Sequence, residues 1–220
     1  MKGCDTILGC EIETIVLRYR DLSSKNTIKI HNDKIAAKGF VWWGWWAKPQ
    51  EKVALEVFKS LAEKAVSDTH FEVFLLDSGR SELRRAQCID IKFDFNNPIP
   101  SPQKNATPAY YNKNEYLMWF KFDKISEPID SPDKYINNYS YVQVDEHFAS
   151  KTSPFSVFNN KKVYNLNELI EQQCTIWFLR KAKTDDENRQ IVSYAPGNGN
   201  VETSFSIANT NQLLWLSDLH

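Results

Sequence analysis

Apolar residues recur along this chain with two periods, one typical of helices and one typical of strands. In residues 51–66 they follow a helical spacing and predict one long helix, which includes Val57, Phe58 and Leu61. Residues 27–38 predict a first short helix, which Gly39 terminates. Residues 165–173 predict a second, because Asn165 and the acidic residue three positions later have the spacing of a helix cap.

Runs of β-branched and aromatic residues predict the strands. The predicted strands comprise residues 14–20, 40–46, 71–76, 86–95, 116–125, 139–144 and 174–179. The third to fifth runs predict a meander, since turn residues and a proline-rich stretch separate them. We therefore expect an α+β domain with a curved or barrel-like antiparallel sheet, one long helix and two short helices. Closure of the sheet would hide the edges of such aromatic strands.

Composition narrows the class of protein. The chain has 220 residues and a net charge of −1, and none of its apolar runs approaches the roughly 18 residues of a membrane span. Its N-terminus lacks the apolar core of a signal peptide. The four cysteines, Cys4, Cys10, Cys88 and Cys174, form no C-x-x-C pair. We expect a cytoplasmic protein with reduced thiols and no membrane partner.

Tryptophans are concentrated in residues 39–48, GFVWWGWWAK. A strand here would place Trp42 and Trp46 on one side and Trp43 and Trp45 on the other. Two interpretations are open. The tryptophans form a core, or some of them line a pocket in which an indole stacks on a nucleobase. In the second case Gly44 would let the ligand approach the backbone closely.

Basic residues surround this tryptophan-rich stretch. Residues 18–52 contain eight Lys or Arg against three Asp or Glu. This excess would suit an anionic aromatic ligand, with Arg18, Arg20 and Lys48 pairing with its phosphate. The alternative is an ordinary solvated face. His31, within the same stretch, has no local catalytic or metal partner and is predicted to be structural or on the surface.

The proline-rich stretch at residues 98–111 predicts an extended, rigid loop, with the character of a lid. Tyr110 and Tyr111 follow its prolines, and they either close an aromatic cage or pin the loop to the core. The predicted strand at residues 116–125 adds a further tryptophan, Trp119. The complete predicted ligand-binding set is Trp42, Trp43, Trp45, Trp46, Lys48, Arg18, Arg20, Tyr110, Tyr111 and Trp119.

The order of these elements resembles a known class of domains. The pattern is similar to that of PUA-like domains of the EVE and ASCH type. It consists of an early tryptophan-containing strand and a late strand that ends near Pro128 and contains Trp119, Phe120, Lys121 and Phe122. The resemblance implies recognition of a modified base or a nucleic acid through an aromatic pocket. It rests on pattern without a matching residue signature, so it assigns no site residue.

The last residues, Leu213–His220 (LLWLSDLH), form an apolar run that ends in two metal-binding residue types. Asp218 and His220 lie two positions apart, so a strand would place both on one face, where they can ligate one metal. The motif resembles the opening strand of calcineurin-like metallophosphoesterases. This implies that both residues belong to a dinuclear site for Mn, Fe or Zn, which is incomplete in this chain because the family's later motifs are missing.

Residues 183–210 are charged and then rich in Gly and Asn, as in a linker. We expect a sensor domain at residues 1–182, that linker, and the first strand of a metallophosphoesterase domain at residues 211–220, an arrangement of bacterial multidomain proteins. The sensor domain is predicted to be non-catalytic, to bind a nucleotide, modified base or nucleic acid, and to regulate the phosphoesterase domain in cis. The alternative is a structural or homo-oligomerising domain with a buried tryptophan cluster. An independent enzyme is disfavoured, because no nucleophile and base are recognisable.

Overall fold

The computed structural model describes residues 12–21, 26–49, 51, 55–67, 71–94, 96–111, 113–142, 162–172 and 174–182. These residues all lie in the first of the two units into which the chain divides, Met1–Ala182. The proposed linker and the motif with Asp218 and His220 fall outside the described residues. The division into a sensor domain, a linker and a catalytic strand therefore stays a prediction.

Among the described residues, seven strands form a single sheet with the order β2-β5-β4-β3-β1-β7-β6. The strands are β1 (Thr14–Tyr19), β2 (Val41–Gly44), β3 (Phe71–Asp77), β4 (Glu82–Phe93), β5 (Met118–Ile125), β6 (Tyr139–Tyr141) and β7 (Ile176–Lys181). Neighbours are antiparallel except for β1 and β3, which are parallel. The sheet is not closed. The α+β prediction is confirmed, and so is the meander, since β3, β4 and β5 are consecutive neighbours.

In the part of the chain that the structure describes, four α-helices accompany the sheet: α1 (Thr27–Lys38), α2 (Leu55–Ser67), α3 (Pro132–Ile136) and α4 (Leu166–Gln172). Local signals set both ends of α1, and the end at Gly39 was predicted. The Asn26 side chain accepts a hydrogen bond from the Lys29 amide, and Gly39 adopts a left-handed φ of 78° and donates to the Ile35 carbonyl. The short helix α3 was not predicted, because five residues are too few to establish a helical period.

Apolar clusters cover both faces of the sheet, one on the first face and two on the second. The first face is covered by α1 and α2, the latter burying Val57, Phe58, Leu61 and Ala65. The second face is covered at one end by α3 and α4, which bury Ile136, Leu166 and Leu169. At the other end of the second face a smaller cluster forms around Trp42 and Trp119. Helices on both faces bury the sheet from two sides.

The proline-rich loop covers the edge strand β2. All four β2 residues are buried. Tyr111, at the end of the loop, contacts Trp119 on the second face, with ring centroids 5.7 Å apart, and His31 on the first face, with centroids 6.0 Å apart. The loop must therefore pass around β2 from one face to the other. This covering protects an edge that would otherwise be open to pairing with another chain.

A tyrosine ring occupies the space beside Gly44. A Cβ atom added to Gly44 would lie 2.6 Å from Cδ2 of Tyr116 and 3.1 Å from the ring of Trp119. The close approach to the Gly44 backbone, for which the sequence suggested a ligand, is made by this ring.

We predict that Gly44→Ala lowers the free energy of unfolding by about 1–3 kcal/mol, because the added methyl group overpacks the contact with Tyr116. Urea denaturation measures this. In a Tyr116→Ala background, where the obstructing ring is gone, the same substitution should cost much less. Equal costs in the two backgrounds would contradict the packing explanation.

Candidate functional site

Aromatic rings from four parts of the chain meet on the first face beside β2. His31 of α1 lies against Trp43 of β2, with ring centroids 4.5 Å apart and planes at 37°. Tyr110 and Tyr111 of the proline-rich loop approach His31 with centroids 6.2 and 6.0 Å away. Tyr19 of β1 meets Trp43 edge-on at 5.6 Å. We call these five residues the aromatic site.

The hydrogen bonds of His31 define its tautomer. Its Nδ1 lies 2.8 Å from the Thr27 carbonyl oxygen. A carbonyl only accepts, so Nδ1 carries the proton and Nε2 is left as a bare acceptor. Among the described residues Nε2 has no hydrogen-bond partner, although it is fully buried. Burial lowers the pKa of His31 to about 4, so the ring is neutral at physiological pH.

A buried acceptor without a partner is unfavourable, by about 1–3 kcal/mol in typical proteins. Such atoms are rare in native structures and require an explanation, for which a bound ligand or a water molecule are the ordinary candidates. The Nε2 atom of His31 therefore marks this cluster as a candidate binding site rather than core alone.

Tyr110 forms the outer wall of the aromatic site. His31 and Trp43 are buried, whereas Tyr110 is 46% exposed. Its hydroxyl oxygen lies 3.5 Å from His31 Nδ1. Burial raises the pKa of the Tyr110 hydroxyl and of the Tyr19 hydroxyl, so both remain protonated at neutral pH.

Two buried carboxylates lie behind α1. Asp21 accepts hydrogen bonds from the Thr27 amide at 2.8 Å and from the Thr27 hydroxyl at 2.5 Å. Asp77 accepts from the Gly79 amide at 2.8 Å and from the Asp21 amide at 3.3 Å. The Arg80 guanidinium stands 3.7 Å from Asp21 and 4.0 Å from Asp77. Thr27 forms hydrogen bonds with both Asp21 and His31 and so links these carboxylates to the aromatic site.

Trp45 and Lys48, two predicted ligand-binding residues, lie in a different environment. Trp45 donates from its indole nitrogen to the Thr175 hydroxyl at 3.0 Å. The Glu51 carboxylate accepts from the Lys48 amide at 2.9 Å and from the Thr175 amide at 2.7 Å. These bonds attach the segment after β2 to the start of β7, a structural role.

The remaining predicted residues are dispersed. Arg18 donates to the Ile170 carbonyl of α4, on the second face of the sheet. Arg20 is exposed, and Trp46 is 64% exposed. Trp42 lies with Trp119 on the second face, opposite Trp43, so the predicted alternation along β2 is confirmed. Of the predicted set, Trp43, Tyr110 and Tyr111 belong to the aromatic site, whereas Trp42 and Trp119 pack with Tyr111 in the smaller cluster of the second face.

Sequence reasoning missed His31 as a site residue. A signal was present, because His31 shares one face of α1 with Ile28 and Ile35, three positions before and four after it, and that face is apolar. A histidine on a buried helix face is therefore expected to meet the neighbouring strands. Asp21 and Asp77 gave no such signal, since each follows or ends a strand like many turn residues.

Two further findings concern the described part of the chain alone. Within it, no group of three or more His, Cys, Asp or Glu is placed to hold a metal ion. No helix among the same residues combines the length and the apolar composition needed to cross a bilayer. The thiols of Cys88 and Cys174 are buried, and burial raises the pKa of both.

Comparison with known proteins gives one match. A family model described as Pua-like matches residues 15–190, a span that contains every residue of the aromatic site. No curated protein and no solved structure matches the chain.

We predict that His31 makes the protein less stable in mild acid. Its pKa is about 4 in the folded state against 6.5 in a model peptide, so below pH 6.5 the unfolded chain binds more protons than the folded one. Stability is then lost as pH falls from about 6.5 towards 4, by about 2 kcal/mol at pH 5.

The matched variant is His31→Phe, which keeps a ring of similar size against Trp43 but cannot titrate. Urea denaturation between pH 5 and 7.5 should show a pH dependence weaker by about 2 kcal/mol than that of the unsubstituted protein. The same dependence in both proteins would show that His31 is not protonated on unfolding.

Proposed function

Because this chain belongs to the Pua-like family, we propose that it is a recognition domain that binds a nucleobase or base-like ring, free or within nucleic acid, at the aromatic site. The family's fold supports RNA or ligand binding. The observation that carries the proposal is the bare Nε2 of His31, buried between Trp43, Tyr110 and Tyr111 with no described partner.

Each wall of the site has a separate task in this proposal. His31 lies against Trp43 in the free protein, so the incoming ring stacks on Trp43 once these two rings separate. Such stacking is worth about 1–3 kcal/mol per base. His31 Nε2 accepts a hydrogen bond from an N–H group on the ring edge. Tyr110, half exposed, turns outward to admit the ring and then closes against it. Tyr111 stays in place, since it is packed under Trp119.

Basic residues beside the site favour nucleic acid over an isolated base. Lys34 and Lys38 follow His31 by three and seven positions, so they continue the same face of α1. The Lys34 ammonium lies 3.3 Å from the Asn105 carbonyl oxygen, on the proline-rich loop that also carries Tyr110. Phosphates of a strand whose base occupies the site would be attracted to these two side chains.

Two substitutions test the proposal. Trp43→Leu should weaken binding of nucleosides and of single-stranded RNA at least tenfold, because it removes the stacking surface. Lys34→Glu combined with Lys38→Glu should weaken RNA binding and reduce its salt dependence, while nucleoside affinity changes little. Isothermal titration with nucleosides and fluorescence anisotropy with a labelled oligonucleotide measure both effects.

Tyr164→Ala is the matched control, since Tyr164 is a described, exposed aromatic residue that lies just before α4 and outside the site. The Tyr164→Ala variant should bind nucleosides and RNA with the same affinity as the unsubstituted protein. If Trp43→Leu, shown to be folded by its thermal melt, retains full affinity for every ligand that binds, the proposed site is wrong.

A second candidate function is a structural or oligomerising domain. The burial of Trp42, Trp45 and Trp119 in apolar clusters supports it. Absence of binding to all nucleosides and oligonucleotides, together with a concentration-dependent mass in light scattering, would favour this candidate.

We also propose, from the LLWLSDLH motif alone, that the domain regulates in cis a metallophosphoesterase domain whose first two metal ligands are Asp218 and His220. We expect the coding sequence after His220 to continue with a second acidic metal motif and a G-N-H element. The chain of 220 residues should then show no phosphodiesterase activity with Mn, whereas the extended protein should. A coding sequence without those motifs would contradict this proposal.

A further inference from the structure

The imidazole of His31 is held in one tautomer. Its Nδ1 atom donates to the Thr27 carbonyl oxygen at 2.8 Å. Thr27 is fixed in turn, because its amide and its hydroxyl both donate to the Asp21 carboxylate. If the proton moved to Nε2, the lone pair of Nδ1 would face the lone pairs of that carbonyl oxygen. Nε2 therefore stays an acceptor, and Asp21 lies on the Nδ1 side of the ring, away from it.

The titratable groups of the aromatic site keep their charge near neutral pH. Burial lowers the pKa of His31 to about 4, so the imidazole is neutral. Burial raises the pKa of the hydroxyls of Tyr19, Tyr110 and Tyr111, so all three stay protonated. No described side chain forms a hydrogen bond at Nε2. A charged ligand would meet no described counter-ion there, and the desolvation that keeps His31 neutral disfavours it as well.

The number of unpaired atoms also limits the ligand. Among the described residues, Nε2 of His31 is the buried polar atom of the aromatic site that lacks a hydrogen-bond partner. A ring nitrogen with a lone pair would add a second unpaired acceptor, and an N-methyl group would leave Nε2 unpaired. An exocyclic amine has two N–H groups, so its second one would be buried without an acceptor. A ring N–H beside a carbonyl supplies a single, strongly polarised donor.

From this geometry we propose that the aromatic site selects the neutral N–H form of a lactam nucleobase, such as uracil or hypoxanthine. It rejects the same ring when that nitrogen is methylated or has lost its proton. The inference rests on the proposed function and adds the chemical class of the ligand. A site built to form a hydrogen bond with one N–H group discriminates strongly against analogues that lack it, because its buried polar group is then left unpaired.

The first comparison removes the donor. Isothermal titration at pH 6.5 should show at least tenfold tighter binding of uridine than of 3-methyluridine. His31→Phe keeps a ring against Trp43 but has no acceptor, so it should bring this ratio to within about twofold of unity. Tyr164→Ala, outside the site, is the matched control and should leave the ratio unchanged. A ratio that persists in His31→Phe would show steric rejection of the methyl group and would overturn the inference.

The second comparison removes the proton without adding bulk at that nitrogen. The ring N–H of 5-fluorouridine loses its proton at lower pH than that of uridine, because fluorine withdraws electrons. Between pH 6.5 and 8.5 the affinity for 5-fluorouridine should fall about fivefold or more, while that for uridine changes by less than about twofold. The pKa values of His31 and of the three tyrosines lie outside this range, so the ligand accounts for the difference. No decrease for 5-fluorouridine, or an equal decrease for uridine, would contradict the inference.

The third comparison separates the lactam from the amine on one purine scaffold. Inosine should bind at least tenfold more tightly than adenosine. Equal or tighter binding of adenosine would overturn the inference while leaving the proposed function intact. Where free nucleosides do not bind, fluorescence anisotropy makes the same comparisons with an oligonucleotide that carries each base at one position. If neither nucleosides nor these oligonucleotides bind, the proposed function fails and this inference with it.

Discussion

The parallel pairing of β1 with β3, at the centre of the sheet, is the constraint on which the rest of the fold depends. A parallel pair cannot be joined by a hairpin and needs a crossover connection. Here the crossover contains α1, β2 and α2, so the chain leaves the centre, reaches the far edge of the sheet and returns. Both helices lie on the first face as a result. The crossover thereby carries His31 and Trp43 to the same place, since α1 precedes β2 directly.

Covering the edge strand is the second requirement. Among the strands that the structure describes, β2 has a neighbour on the β5 side alone, and its other side is open to pairing unless something shields it. The proline-rich loop supplies the shield, with Tyr111 packed against rings on both faces and Tyr116 fitted beside Gly44. The loop that protects the sheet is also the loop that forms one wall of the aromatic site. Stability and recognition therefore depend on the same segment.

Much of the local structure could be predicted from the sequence, because its causes are local. The cap at Asn26, the left-handed Gly39 and the apolar period of α2 are each read within a few residues. The parallel register of β1 and β3 could not be predicted in this way, since it depends on residues more than fifty positions apart. Nor could the short helix α3, whose five residues lack a period.

The candidate site was predictable only in part, for a similar reason. Alternation along β2 separates Trp42 from Trp43 whatever the fold, but it does not say which of them faces a core and which a ligand. Arg18 was expected beside the indoles because it is close in sequence. Its strand directs it to the opposite face, where it bonds to α4. His31 joined the site through the tyrosines of the proline-rich loop, a contact that no local pattern contains.

The 3-10 turn at Ala109–Tyr111 places two adjacent tyrosines in different environments, so that Tyr110 is half exposed and Tyr111 is buried. Tyr111 is held on both sides of the sheet and tolerates little change. Tyr110 contributes a wall and can be exchanged at small cost to the fold. Relatives of this protein that acquire new ligands should therefore vary at the position of Tyr110 and keep an aromatic residue at that of Tyr111, so that specificity can diverge without loss of the scaffold.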